Sequence, residues 1–190
     1  RGIAVEATHI PDGYRPGQDE LALRGQFVQS GPETSEGFRF SVGAHFVEVG
    51  VDESRGRIRV RRMVGVFDIG AVLHPDLARA QLEAGMLWGA SHALMEDACL
   101  DEGTGRFLAA GLTEYHFLSH ADTPAVDAVL LDVHSGAGAA SATGAGELGV
   151  VGSSAAVTNA VYHATGQRIR ELPVHPQAVL WAAEAAAPSS

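Results

Sequence analysis

The chain has one cysteine, Cys99, among its 190 residues. A single thiol excludes an intrachain disulfide and any cysteine-cluster metal site, and Cys99 reads as a small buried hydrophobe. Positive charge is thin: 13 Lys and Arg against 23 Asp and Glu give a formal net charge of −10. That balance repels a phosphate backbone and argues against nucleic acid as the main partner. No apolar run is long enough to span a bilayer. Residues 1–20 lack the apolar core of a signal peptide and carry Asp12, Asp19 and Glu20, so the cytoplasm is the expected compartment. The chain opens on Arg1 rather than methionine, which reads as a processed or partial sequence. A hydrophobic content of 46% is enough for a core at this length without covalent or metal staples.

Residues 1–37 are punctuated by Pro11, Gly13, Pro16, Gly17, Gly31, Pro32 and Gly37. They read as an irregular segment that packs on a neighbour, with one strand near Leu21–Val28. Residues 38–190 read as the main domain. A β-rich run from Phe40 to Val51 meets a turn at Asp52–Gly56 and returns through Ile58, Val60, Val64 and Val66, with Arg57, Arg59 and Arg61 on a solvated face. A helix is predicted from Pro75 to Ala98, with Leu77, Ala80, Ala84, Leu87, Trp88, Ser91 and Met95 at helical spacing. Its Gly85 and Gly89 cost about 1 kcal/mol each relative to alanine, yet let another backbone approach closely. Phe107–Phe117 is ambiguous, and Ala125–Val133 reads as a strand with Val129, Leu131 and Val133 on one parity. A helix is expected from Gly152 to Ala164, with Ser153 or Ser154 near its cap and Gly166 after its end. Arg168–Leu172 reads as a short edge strand and Pro176–Ala186 as a last helix. The fold class is α+β: mixed or antiparallel sheets with packed helices, in one lobe or two.

The chemistry gathers in Ser141-Ala142-Thr143-Gly144-Ala145-Gly146-Glu147-Leu148-Gly149. Residues with almost no side chain let a large ligand approach the backbone, and bare N–H groups then bind its oxygens. Glu147, at the end of that bed, is placed to take a proton from something bound. Its blander reading is a helix-start carboxylate. Gly144–Gly149 also matches the GxGxxG pattern, but a dinucleotide site needs the glycines to follow a strand directly. Gln81 can donate and accept through its amide. His116 and His120 are four apart without a third ligand at metal spacing, so no protein-ligated metal is expected.

Several segments together resemble the molybdenum hydroxylase family (xanthine dehydrogenase, aldehyde oxidoreductase and aerobic carbon-monoxide dehydrogenase), in the C-terminal part of the molybdenum-binding subunit. They are Gly43-Ala44-His45-Phe46-Val47-Glu48-Val49 with Asp68-Ile69-Gly70 and His74-Pro75; Gln81-Leu82-Glu83-Ala84-Gly85; Tyr115 with Asp122-Thr123-Pro124; and Gly144-Ala145-Gly146-Glu147 with Ala155–Val161 and Arg168–Pro173. They run from about Phe40 onward. The resemblance implies an oxidoreductase that hydroxylates an aldehyde or aromatic heterocycle with water, with Glu147 as general base. It implies a molybdenum-pterin cofactor in its cytosine dinucleotide form, contacted by Gln81, Thr143, Gly144, Ala145 and Gly146. It also implies 2Fe-2S clusters and FAD on partner chains, and a companion carrying the N-terminal portion of the molybdenum-binding subunit, without which this chain is inactive. Departures at His74, Ala84, Thr143 and Leu148 bear on substrate class and subfamily more than on the cofactor. The readings set against this one are a nucleotide-binding dehydrogenase domain using Gly144–Gly149 and a non-catalytic assembly module.

Overall fold

The computed structural model describes residues 20–21, 24–25, 40–131 and 141–180. Residues Arg1–Arg39 form one compact unit and Phe40–Ser190 another. In the first, Glu20 and Leu21 are helical, not the start of the strand expected near Leu21–Val28. The Arg24 amide turns back to the Glu20 and Leu21 carbonyls, each at 3.2 Å, which curls the backbone. The remainder of that expected strand lies outside the described residues.

Among the described residues the second unit is α+β, with a mixed three-stranded sheet, a two-stranded sheet and packed helices. Its elements are β1 (Val42–Asp52), β2 (Arg57–Asp68), α1 (Pro75–Leu94), β3 (Leu100–Asp101), β4 (Arg106–Phe107), β5 (Ala125–Leu130), α2 (Leu148–Val151) and α3 (Ser153–Thr165). Strands β1 and β2 pair antiparallel, and β5 joins β2 in parallel. The hairpin turn is held by the Asp52 carboxylate, which accepts the Ser54 amide at 3.1 Å and the Ser54 hydroxyl at 2.6 Å. Gly56 closes the turn at φ +65°, a conformation with little strain only for glycine.

The alternation expected along β2 breaks in the middle. Glu48 pairs with Arg62 and Val49 with Val60, which leaves Arg61 as the extra residue of a bulge. One extra residue exchanges the two faces. Val60 is therefore buried before the bulge and Met63, Gly65 and Phe67 after it, whereas Val64 and Val66, expected to share a face with Val60, turn to the other side. Arg57, Arg59 and Arg61 are exposed, as expected. Arg61 and Arg62 each stand 3.8 Å from the Glu48 carboxylate. In β5 it is Ala128 that is buried, and Val129 is exposed. That reverses the expected parity, because Ala128 lies opposite Gly65 on the covered face. Leu131 has left the strand, and Val133 lies outside the described residues.

Helix α1 starts as read, with Pro75 in its first turn and the His74 ring Nδ1 accepting the Leu77 amide at 3.2 Å. Its buried face is largely not the one predicted. Leu82, Gly85, Met86, Gly89, Ala90, Ala93 and, of the expected set, Ser91 are buried, while Leu77, Ala80, Ala84 and Trp88 are exposed. The small residues mark the face that matters, because helices α2 and α3 lie against it. The helix stops at Leu94, short of Ala98. The Ala93 carbonyl, which a further turn would have used, accepts the Val174 amide at 2.7 Å. Cys99 is exposed rather than buried, since it lies in the irregular stretch between α1 and β3. Arg168–Leu172 forms no strand. The Arg168 guanidinium turns back onto α3, 3.8 Å over the Tyr162 ring and bonded to Asn159 at 2.6 Å. Residues 176–180 are helical, and the rest of the expected last helix lies outside the described residues. Phe67, Met63, Leu82, Met86 and Val157 fill the core between sheet and helices.

Candidate functional site

The two glycines of α1 set the site's floor. A methyl group at Gly85 would sit 3.0 Å from the Val150 nitrogen, and one at Gly89 would sit 2.5 Å from Ser153 Cβ. On the facing side, a methyl at Gly149 would sit 3.0 Å from the Leu82 carbonyl carbon and nearer still to its oxygen. Helices α1 and α2 thus touch backbone to backbone, which only residues without a side chain permit. Glu147 is the residue on which α2 begins, and the Glu147 carbonyl accepts the Val150 and Val151 amides at 3.0 and 3.2 Å.

The bed that precedes Glu147 is tied at both ends. The Ala71 amide donates to the Ser141 carbonyl at 3.4 Å and the Thr143 amide to the Ile69 carbonyl at 2.9 Å. Thr143 Oγ1 and Ser41 Oγ are 2.8 Å apart, and the Ser41 hydroxyl also donates to the Gly144 carbonyl. At the far end, Gln81 Nε2 donates to the Gly146 carbonyl at 2.8 Å, across 65 residues of sequence. The side chain of Ala145 packs toward the core, whereas Gly144 and Gly146 are exposed and a methyl group on either would meet nothing within 4 Å. The structure therefore brings Gln81, Gly144, Ala145, Gly146 and Glu147 together.

One expectation needs correction. The Thr143 N–H is not open to a ligand, because it bonds to Ile69. The N–H groups of Gly144, Ala145 and Gly146 have no partner among the described residues. Glu147 is exposed at the start of α2, as the helix-start reading has it, but its carboxylate makes no capping bond to the helix. Among the described residues that carboxylate has no hydrogen-bond or ion-pair partner, and it does not line the apolar groove of about 430 Å³ between Trp88, Tyr115 and Phe117. Among the described residues the arrangement offers three unpaired donors in a row, an amide side chain whose oxygen has no partner, and a carboxylate at the end.

Behind Glu147 stands a histidine that sequence reasoning did not single out as functional. His45 of β1 is half-buried, edge-on to Phe67 with ring centroids 5.2 Å apart. Its Nδ1 is 3.2 Å from Ser153 Oγ, and that hydroxyl donates to the Gly149 carbonyl at 2.8 Å. Burial pushes the His45 pKa down, partly opposed by a hydrogen bond to the Leu148 backbone. Ser153 lies beside the helix cap, as expected, as the first residue of α3; its hydroxyl bridges His45 and Gly149, and Gly152 holds the cap position without a side-chain bond. Ser41 was also missed. A histidine in an apolar strand and a Gly-Ser pair at a helix start were the available signals, but neither has a spacing that joins them. His116 and His120 do not share a helix face, because residues 116–119 are irregular. No strand runs directly into Gly144, since residues 142–145 are irregular, so the dinucleotide reading lacks its required connection.

A mixed sheet with a backbone bed at one end, closed by a glutamine and a glutamate, is the kind of domain that cradles a large cofactor. The chain belongs to the family described as the molybdopterin cofactor-binding domain, whose profile matches residues 4–124. That match takes in the first segment, which the resemblance read from sequence had left out. The chain is 39% identical over 148 residues to the aldehyde oxidoreductase molybdenum-binding subunit PaoC of Escherichia coli, covering 77% of this chain and 20% of that subunit. It is 30% identical over 135 residues to the xanthine dehydrogenase molybdenum-binding subunit of the same species, covering 71% and 18%. The solved aldehyde oxidoreductase of Desulfovibrio gigas superposes with a TM-score of 0.67 at 30% identity, over 76% of this chain and 15% of that one. The chain spans about a fifth of the length of the curated relatives it matches.

Proposed function

We propose that this chain is the C-terminal portion of the molybdenum-binding subunit of a molybdenum hydroxylase, acting on an aldehyde or aromatic heterocycle. Residues 38–190 form the cofactor-binding domain in this reading, and residues 1–37 pack on the companion portion of the subunit. The observation that carries it is the convergence of Gln81 and the unpartnered amides of Gly144–Gly146 on one bed that ends at the free carboxylate of Glu147.

The residues fit a pterin-type cofactor. A ring system rich in oxygen and nitrogen, with phosphates attached, matches a row of backbone donors over open space. Gly144, Ala145 and Gly146 would hold its acceptors, and Gln81 would offer its amide oxygen to a ring N–H while its nitrogen keeps the Gly146 carbonyl in place. Thr143 contributes by fixing the bed to Ile69 and Ser41 rather than by its own N–H. When bound, the molybdenum cofactor supplies the two-electron redox chemistry. Glu147 takes the proton released as a water-derived hydroxyl becomes the nucleophile. The electron pair from the broken substrate C–H bond would pass onward to 2Fe-2S clusters and FAD on partner chains. The exposed carboxylate needs a second wall to exclude water, and the N-terminal portion of the subunit provides it. The cytosine dinucleotide form of the pterin and a cytoplasmic location belong to the same proposal.

Its test is isolation of the native complex, with mass spectrometry of its chains and elemental analysis. Molybdenum and iron in fixed ratio with this chain are the expected result. A stable complex free of molybdenum would leave an assembly module in its place.

A further inference from the structure

Helix α2 is a single turn of four residues. So short a helix cannot hold its own direction, since nucleation costs more than one turn of hydrogen bonds returns. Its orientation comes from what it touches, and so does that of Glu147 at its start. On one side lies the Leu82 backbone. At its C-terminal cap, Gly152, lies His45.

The His45 ring fills the elbow between α2 and α3. A methyl group at Gly152 would sit 2.7 Å from His45 Nε2 and 3.2 Å from its Cγ, so the glycine there leaves room for the imidazole. The ring also faces the hydroxyl of the fully buried Ser153 at 3.2 Å. A hydroxyl has one proton, and Ser153 gives it to the Gly149 carbonyl. Nδ1 must then be the donor toward Ser153, which sets the neutral ring as the Nδ1–H tautomer. One side chain on a rigid strand thus reaches α2 at Gly149 through Ser153.

We propose that His45 is the positioning residue for Glu147, holding α2 through its Nδ1–H and the Ser153 hydroxyl bonded to Gly149. This rests on the reading of Glu147 as the base. His45 lies behind the one-turn helix and touches neither substrate nor cofactor in this role.

The test uses the assembled holoenzyme carrying His45→Leu, His45→Asn, Ser153→Ala or Glu147→Gln. Asparagine keeps an N–H close to the place of Nδ1, and leucine keeps only bulk. Displacing a catalytic group by about 1 Å can cost on the order of 100-fold in rate. His45→Leu is therefore expected to lower kcat by roughly 10- to 100-fold while KM stays within about threefold. Molybdenum content should be unchanged, and amide hydrogen exchange at residues 148–152 should speed up. Ser153→Ala should follow His45→Leu, and His45→Asn should recover most of kcat and most of the protection. If His45→Leu fails to assemble, Ser153→Ala and His45→Asn carry the same readouts. Full kcat in His45→Leu beside an inactive Glu147→Gln overturns this inference alone. So does a loss of molybdenum that parallels the loss of kcat, or an asparagine variant no better than leucine. An active Glu147→Gln enzyme overturns the base assignment itself, and the inference with it.

Discussion

Gly149→Ala places one methyl group where the structure has the Leu82 carbonyl. The new carbon would stand 3.0 Å from the Leu82 carbonyl carbon, against about 3.5–4.0 Å for a relaxed carbon–carbon contact. Helix α2 must therefore retreat by about 0.5–1 Å, because neither backbone can rotate away. Overpacking of this kind costs about 1–3 kcal/mol, and the rigid neighbour puts this site near 3 kcal/mol. Alanine in place of glycine in a helix returns about 1 kcal/mol. The net loss is about 2 kcal/mol, or roughly 4–8 °C in Tm for a chain of this size. The same retreat lengthens the 2.8 Å bond from Gln81 to the Gly146 carbonyl. Differential scanning calorimetry of the purified protein reads the first effect, and hydrogen exchange at residues 146–150 reads the second. An unchanged or raised Tm would show that α2 does not rest on the Leu82 backbone, and the geometry assigned to the site would fail with it.

Gly144→Ala serves as the counterpart, because its methyl meets open space. Thermal stability should change by less than about 0.5 kcal/mol, while molybdenum retention in the assembled protein should fall if a ligand lies over that surface. Phe67→Ala removes a ring with no exposed area that edges His45 and covers Gly43 and Gly65, and unfolding by denaturant should show a loss of about 3–5 kcal/mol. The lowered pKa of His45, from burial, means that the unfolded chain takes up this proton first as pH falls. Its contribution to stability is then complete above the ordinary value of 6.5 and declines as pH drops from there toward the folded-state value. Tm measured against pH should slope less below 6.5 in His45→Asn than in the wild type.

Much of this fold was legible because local rules and tertiary demands agree. The hairpin turn at Asp52–Gly56, Pro75 at the start of α1, and Gly166 in the left-handed cap after α3 at φ +73° all follow from backbone preferences of single residues. The failures share a different origin. The bulge at Arg61 sits in a run of arginine and valine with no glycine or proline to announce it, so one parity was carried across a register shift. The buried face of α1 was misread because Leu77 and Trp88 are large and apolar yet exposed, while Gly85 and Gly89 decide which side another backbone can reach. At the site, the bare bed and its terminal carboxylate could be seen as composition. The bonds that shape it, Gln81 to Gly146, Ser41 to Thr143 and His45 to Ser153, span 65, 102 and 108 residues. No periodicity reports contacts at that range, and the place of Gln81 at the bed came from family resemblance rather than spacing.

The most direct test of the central claim is Glu147→Gln in the complete, purified complex, assayed for turnover and for bound molybdenum together. Glutamine keeps the shape of the side chain and removes the proton acceptor. The account expects molybdenum at the wild-type level with turnover reduced by at least about 100-fold, the lower range for loss of a general base. Turnover near the wild-type rate would contradict it.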